Sequence, residues 1–160
     1  MIFFEDIVVG DSVVLGRHTF TTENIKAFAH RYDPQRFHVD EAAAEASHFG
    51  ALCASGCQTA IVSMRLLVEH RRALAEAVRA RGERVEQAGP AVDLRDLKWL
   101  KPVYVGDTIE YRIEVAETRA SDSHPGFGLM TLRTTGTNQK GELVISFLSA
   151  TLVERRGERR

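Results

Sequence analysis

The stretch Ser55-Gly56-Cys57-Gln58-Thr59-Ala60-Ile61-Val62-Ser63-Met64-Arg65-Leu66-Leu67 decides the fold. It is largely apolar or small, and it opens on a serine suited to cap a helix. Beyond it Glu69, Arg71, Arg72, Glu76, Arg79 and Arg81 turn the sequence polar and basic. A single long helix is therefore expected from about Ser55 to Arg81. A helix so widely apolar at its start is normally buried, while its charged second part should emerge into solvent. Such a helix needs a surface to bury against, and the rest of the chain supplies one.

Downstream the sequence is β-like. From Thr108 to Val115, Ile109, Tyr111, Ile113 and Val115 face one way and Thr108, Glu110, Arg112 and Glu114 the other, the alternation of a half-buried strand. Val92 to Leu100 reads as a strand before it, closing through Lys101-Pro102-Val103-Tyr104-Val105-Gly106-Asp107. Gly126 to Thr137 and Glu142 to Val153 read as two more strands, joined by Asn138-Gln139-Lys140-Gly141 as a hairpin turn. Gly82 to Pro90 is a polar connection expected to be mobile.

Upstream, Val9-Gly10-Asp11 turns the chain into a short strand from Ser12 to Phe20. Thr21 or Thr22 then caps a helix containing Ile25, Phe28 and Ala29, which Pro34 should end near Tyr32. Asp40 to Ser47 has the composition of a further short helix, with Asp40 as its cap. The order is strand, short helices, one long helix, then four strands. Helices segregated from a run of strands imply an α+β fold, a curved antiparallel sheet wrapped around the long helix.

Composition sets the frame. At 160 residues the chain fits one domain, expected over 1–154, with Arg155 to Arg160 as a charged, solvated tail. Apolar residues make up 44% and charged residues 27%, ordinary proportions for a globular chain. A net charge of -1 gives no electrostatic ground for a nucleic-acid partner. No apolar run reaches the length of a membrane span, and Met1-Ile2-Phe3-Phe4-Glu5-Asp6 does not read as a signal peptide. A cytoplasmic location is expected. Cys53 and Cys57 are too few for a disulfide framework and lack the further ligands a metal would need, so they read as two small packing residues, which would share one face if both sat at a helix start.

The chemistry concentrates in Tyr32-Asp33-Pro34-Gln35-Arg36-Phe37-His38-Val39-Asp40. This irregular segment sets a carboxylate and an imidazole five residues apart, with Gly56 following eighteen residues after His38. A carboxylate and an imidazole holding one water can take and return a proton. A glycine N–H at a helix N-terminus is unpaired within the helix and meets a carbonyl oxygen at the positive end of the dipole. From spacing alone a second account stands: Asp33 caps the turn, His38 packs under the helix, and Ser55-Gly56 is only a cap and a small residue. His18, His30, His48, His70 and His124 read as surface or packing residues, and Trp99 and Tyr104 as strand or interface aromatics. Arg65, Arg71, Arg72 and Arg79 read as a solvated basic helix end.

These residues resemble a family. Asp33-Pro34-Gln35-Arg36-Phe37-His38-Val39-Asp40-Glu41-Ala42-Ala43, then Phe49-Gly50 and Ala54-Ser55-Gly56, are similar to the MaoC-like dehydratases, the (R)-specific enoyl-CoA hydratases. Asp93 to Val103 with Gly106-Asp107 is similar to the strand and turn after their central helix. The resemblance implies a hotdog fold and a homodimer with active sites at the subunit interface, whose dimers could associate further. It implies reversible hydration of a trans-2-enoyl thioester, carried by CoA or acyl-carrier protein, in fatty acid metabolism. No cofactor or metal is implied. Asp33, His38 and Gly56 match the catalytic positions. Gln35 occupies the motif's amide position, Ser55 precedes the glycine, and Arg36 stands where the motif usually has proline. Gln35, Arg36 and Ser55 are expected near substrate; beside the pair, Arg36 would favour ionised Asp33 and neutral His38, and the alternatives are that it points to solvent or meets a charged part of the substrate. Two alternatives stand beside hydration: a thioesterase, though the first turns of the helix hold no carboxylate, and a silent acyl-binding or partner subunit.

Overall fold

The computed structural model describes residues 3–85 and 88–157. A 3-10 turn, Phe4–Asp6, leads into β1 (Ser12–Thr19), α1 (Thr22–Tyr32), α2 (Arg36–Val39), α3 (Glu41–Glu45) and the long α4 (Gly56–Ala80). The strands β2 (Ala88–Trp99), β3 (Thr108–Ala120), β4 (Phe127–Thr137) and β5 (Leu143–Glu154) follow. All five strands form one antiparallel sheet in the order β1-β3-β4-β5-β2. This is the α+β hotdog architecture, a long helix wrapped by a curved sheet.

Local chemistry sets the element boundaries. Thr21 caps α1 in a reciprocal box with Asn24, and Asp33 closes that helix before Pro34. Asp40 caps α3 by accepting from the Ala43 N–H at 2.7 Å. Ser55 caps α4, its hydroxyl accepting from the Cys57 N–H at 3.2 Å. The Val-Gly-Asp turns at Gly10 and Gly106 both need a positive φ, 95° and 88°. They stand at opposite ends of the β1–β3 pair: Gly10 N–H donates to Val115 and Gly106 N–H to Phe20.

Curvature comes from bulges. Pairing slips between Val14 and Gly16 in β1 and between Val115 and Glu117 in β3, and extra residues of this kind sharpen twist. Gly16 takes a φ of 144°, and the direction a side chain would follow ends 3.5 Å from Leu66 of α4. Phe20, Ile25, Val62, Leu66, Ile109 and Ile145 form the heart of the core, each worth about 1.5–3 kcal/mol if fully removed from water. Tyr111 is fully buried and donates its hydroxyl to the Thr59 carbonyl at 3.0 Å, tying sheet to helix. Burial raises its phenol pKa, so it stays a neutral donor.

The structure corrects five expectations. The apolar start of α4 is buried on one face only: Val62, Ser63 and Leu66 are covered, while Ile61 and Met64 remain 53% and 54% exposed. One sheet curls around one side of a helix, so the rest of its apolar surface lies open. The polar second half in turn buries Ala75 and Val78. Of the two cysteines only Cys53 is a packing residue, buried ahead of α4 in a bridge with Tyr104, while Cys57 on the helix is exposed. The segment after Pro34 is not wholly irregular, because Arg36–Val39 closes one helical turn. Finally, β2 begins at Ala88, so Gly89 and Pro90 belong to a strand rather than to the expected loop. Proline is tolerated there because β2 is an edge strand. Residues 86 and 87 of the expected mobile connection lie outside the described residues.

The charged tail begins attached: Arg155 pairs with Glu5 at 3.1 Å and Arg156 with Asp6 at 2.6 Å. Residues 158–160 lie outside the described residues. Among the described residues no helix is long and apolar enough to cross a membrane.

Candidate active site

The end of α1, the α2 turn, the N-terminus of α4 and the end of β2 converge on a cavity of about 500 Å³. Asp33, Gln35, His38, Ser55 and Gly56 all line it, together with Trp99 and Lys101 from the end of β2 and just beyond it.

His38 is 5% exposed. Its Nδ1 lies 2.8 Å from the Cys53 carbonyl oxygen. A carbonyl only accepts, so Nδ1 carries the proton and the neutral ring presents a lone pair at Nε2. That Nε2 stands 3.5 Å from Asp33 Oδ2. Two acceptors so close have no proton between them unless His38 is charged or a water donates to both. Phe37 packs edge-on against the imidazole with centroids 4.6 Å apart, which holds the ring plane.

Asp33 sits where α1 has ended. Its backbone N–H still donates to Ala29, while Pro34 turns the chain away. Partial burial works against ionisation of its carboxyl. Hydrogen bonds from the Ser55 hydroxyl and the Gln35 amide, with the His38 imidazole beside it, outweigh that and hold its pKa below the usual carboxylate value. The Gln35 Nε2 donates to Asp33 Oδ1 at 2.8 Å. Ser55 thus serves two groups, accepting from Cys57 as a helix cap and donating to the carboxylate.

Gly56 is the first residue of α4, where its N–H has no intrahelical acceptor. Of the six residues singled out from sequence, five meet in this cavity. Arg36 does not: it is exposed, lies outside the lining, and is not among the groups that shift Asp33. It occupies the first position of α2, with Gln35 as the cap. Proline is favoured at that position for its fixed φ, and arginine fits the same helical geometry.

Sequence reasoning missed three contributors. The Cys53 carbonyl orients His38, but a backbone acceptor has no residue signature. Its buried thiol lies 3.7 Å from the same Nδ1, and burial pushes the thiol pKa up to about 11. Phe49 joins the cavity wall beside Phe37, ring centroids 5.0 Å apart, with its carbonyl held by the Tyr104 hydroxyl at 2.9 Å. Trp99, read as a strand aromatic, lies against Gly56. The other five histidines stand outside this cavity. His18 packs edge-on to Phe20, and burial, with Arg65 nearby, lowers its pKa.

Comparison with known proteins gives a consistent set of relatives. A family model for the FAS1-like dehydratase domain region matches residues 7–147. The crystal structure of a MaoC-like dehydratase from Rhodospirillum rubrum superposes with a TM-score of 0.80 at 33% identity, covering 99% of this chain and 100% of that one. The uncharacterized protein YdeM of Bacillus subtilis is 27% identical over 133 residues, 83% of this chain and 85% of its own length. A mesaconyl-CoA hydratase from Cereibacter sphaeroides is 37% identical over 59 residues, 37% of this chain and 17% of the hydratase.

Proposed function

Because the chain belongs to the MaoC-like dehydratase family, we propose that it reversibly adds water to a trans-2-enoyl thioester, giving a 3-hydroxyacyl thioester. The observation that carries the reading is the 3.5 Å approach of His38 Nε2 to Asp33 Oδ2 in a cavity that Gly56, the first residue of α4, also lines.

The residues divide the work as follows. A water seated at the pair donates to Asp33 Oδ2 and His38 Nε2. Asp33, with its lowered pKa, stays ionised and holds that water without taking its proton. As the water oxygen bonds to C3, His38 Nε2 takes the proton. The Cys53 carbonyl on Nδ1 and the Asp33 carboxylate then stabilise the imidazolium. The thioester oxygen gains enolate character and is met by the Gly56 N–H at the positive end of α4. His38 returns its proton to C2, so the pair ends as it began. Gln35 and Ser55 orient the carboxylate.

The working unit proposed is a homodimer. Ile61 and Met64 on α4, and Val92, Leu94, Trp99 and Leu100 in and just after the edge strand β2, are exposed apolar residues, and of these Trp99 and Leu100 line the cavity. An uncovered edge strand next to exposed apolar residues is a surface made for pairing.

The test is direct. Pure protein mixed with crotonyl-CoA should bleach the enoyl thioester absorbance and yield 3-hydroxybutyryl-CoA. No hydration of any short or branched enoyl-CoA, or full activity in Asp33→Asn, would sink the proposal. Release of free CoA would instead identify a thioesterase.

A further inference from the structure

Trp99 is the only tryptophan of the chain and the last residue of β2. A side-chain carbon added at Gly56 would lie 2.6 Å from its Nε1, 2.7 Å from Cε2 and 3.0 Å from Cδ1. The pyrrole edge of the indole therefore fills the space that a side chain at Gly56 would take. In a helix the Cα–Cβ direction tilts toward the N-terminus. The indole nitrogen thus lies at the same end of α4 as the free Gly56 N–H.

Both groups border the cavity that holds Asp33 and His38. The next N–H along the helix, that of Cys57, is already taken by Ser55 Oγ. Among the described residues the indole N–H has no acceptor. A carbonyl oxygen has two lone pairs, and developing charge on it is best met by more than one donor.

We propose that the Trp99 indole N–H is the second donor to the thioester carbonyl, paired with the Gly56 N–H. This assignment rests on the hydratase reading for its substrate. It also explains the glycine at position 56 twice over, since any side chain there would expel the indole. Trp99→Phe keeps an aromatic wall and removes only the donor.

The experiment uses butyryl-CoA, a saturated thioester that cannot be hydrated, labelled with 13C at its carbonyl. In wild-type protein its carbonyl stretch should move to lower wavenumber, and Trp99→Phe should recover part of that shift. With crotonyl-CoA the variant should lose about 10- to 100-fold in kcat, while KM stays within about threefold. A second measurement needs no variant. The chain's single indole 15N–1H resonance should move downfield when butyryl-CoA binds. An unmoved indole resonance, no carbonyl shift in wild-type protein, or the same carbonyl band in Trp99→Phe as in wild type would overturn the assignment. If both spectroscopic shifts appear but crotonyl-CoA is not hydrated, the hydratase reading fails and the Trp99 donor stands.

Discussion

His38 donates its Nδ1 proton to the Cys53 carbonyl at 2.8 Å, and that single bond decides which face of the imidazole is basic. With Nδ1 committed, Nε2 is the only lone pair left to face Asp33. The imidazole is thus oriented by backbone just ahead of α4, the helix whose first residue lines the same cavity.

Removing either member of the pair should stop turnover without unfolding the chain. His38→Gln loses the base, and Asp33→Asn presents a donor where the water needs an acceptor. Each is expected to lower kcat on crotonyl-CoA by about 10²- to 10⁴-fold. Thermal melts and butyryl-CoA binding run in parallel should stay near wild type. A variant keeping wild-type kcat would show that the other account of this pair, a turn cap and a packed histidine, is correct.

Ser55 gives a pH signature separate from rate. The folded pKa of Asp33 is depressed, so its ionised form contributes stability above the unfolded carboxylate pKa, and that contribution is lost as pH falls through the lower folded value. Ser55→Ala removes a donor to the charged form, which should move the Asp33 titration upward. Carboxyl 13C NMR of labelled protein would read the shift. The lost helix cap should cost about 1 kcal/mol in a denaturant melt. An unmoved Asp33 titration would mean that Ser55 does nothing for the carboxylate.

The Asp33–His38 pair was legible because it falls in one contiguous stretch around Pro34, and Gly56 because it opens the apolar helix. The Trp99–Gly56 contact was not legible, since it joins the end of β2 to the start of α4 across the fold. The α2 turn escaped because four residues are too few to show a period. The strands themselves were readable from alternation and turns, but their order β1-β3-β4-β5-β2 depends on which edges meet in space. Periodicity also cannot separate apolar surface covered by the chain's own sheet from apolar surface the sheet leaves open. The exposed Ile61 and Met64 look like core residues in sequence for that reason.

Gly136 tests the sheet–helix packing. It lies opposite Tyr111 on β3 and Ile145 on β5, and a Cβ there would come 2.7 Å from Ile145 Cγ2 and 3.0 Å from Ile109 Cγ2. Both neighbours are fully buried, with little room to yield. Gly136→Val should destabilise the fold by about 1–3 kcal/mol. Urea melts of wild type and variant measure it, and an unchanged midpoint would mean that the core there is looser than these distances imply.

The open face of α4 makes a claim about assembly. Ile61 and Met64 are i and i+3 on the helix, so they form one patch on the side the sheet does not cover. If a second copy covers that patch, charges placed there must be buried or the copies must part. Ile61→Glu combined with Met64→Lys should shift the protein toward monomer in sedimentation velocity, with far-UV circular dichroism unchanged. Because Trp99 and Leu100, exposed apolar residues at the end of β2, also line the cavity, the same double variant should lose activity while Asp33 and His38 remain intact. A wild-type chain that sediments as a monomer at micromolar concentration would rule out the dimer. A double variant that is monomeric yet fully active would show that one chain completes the site by itself.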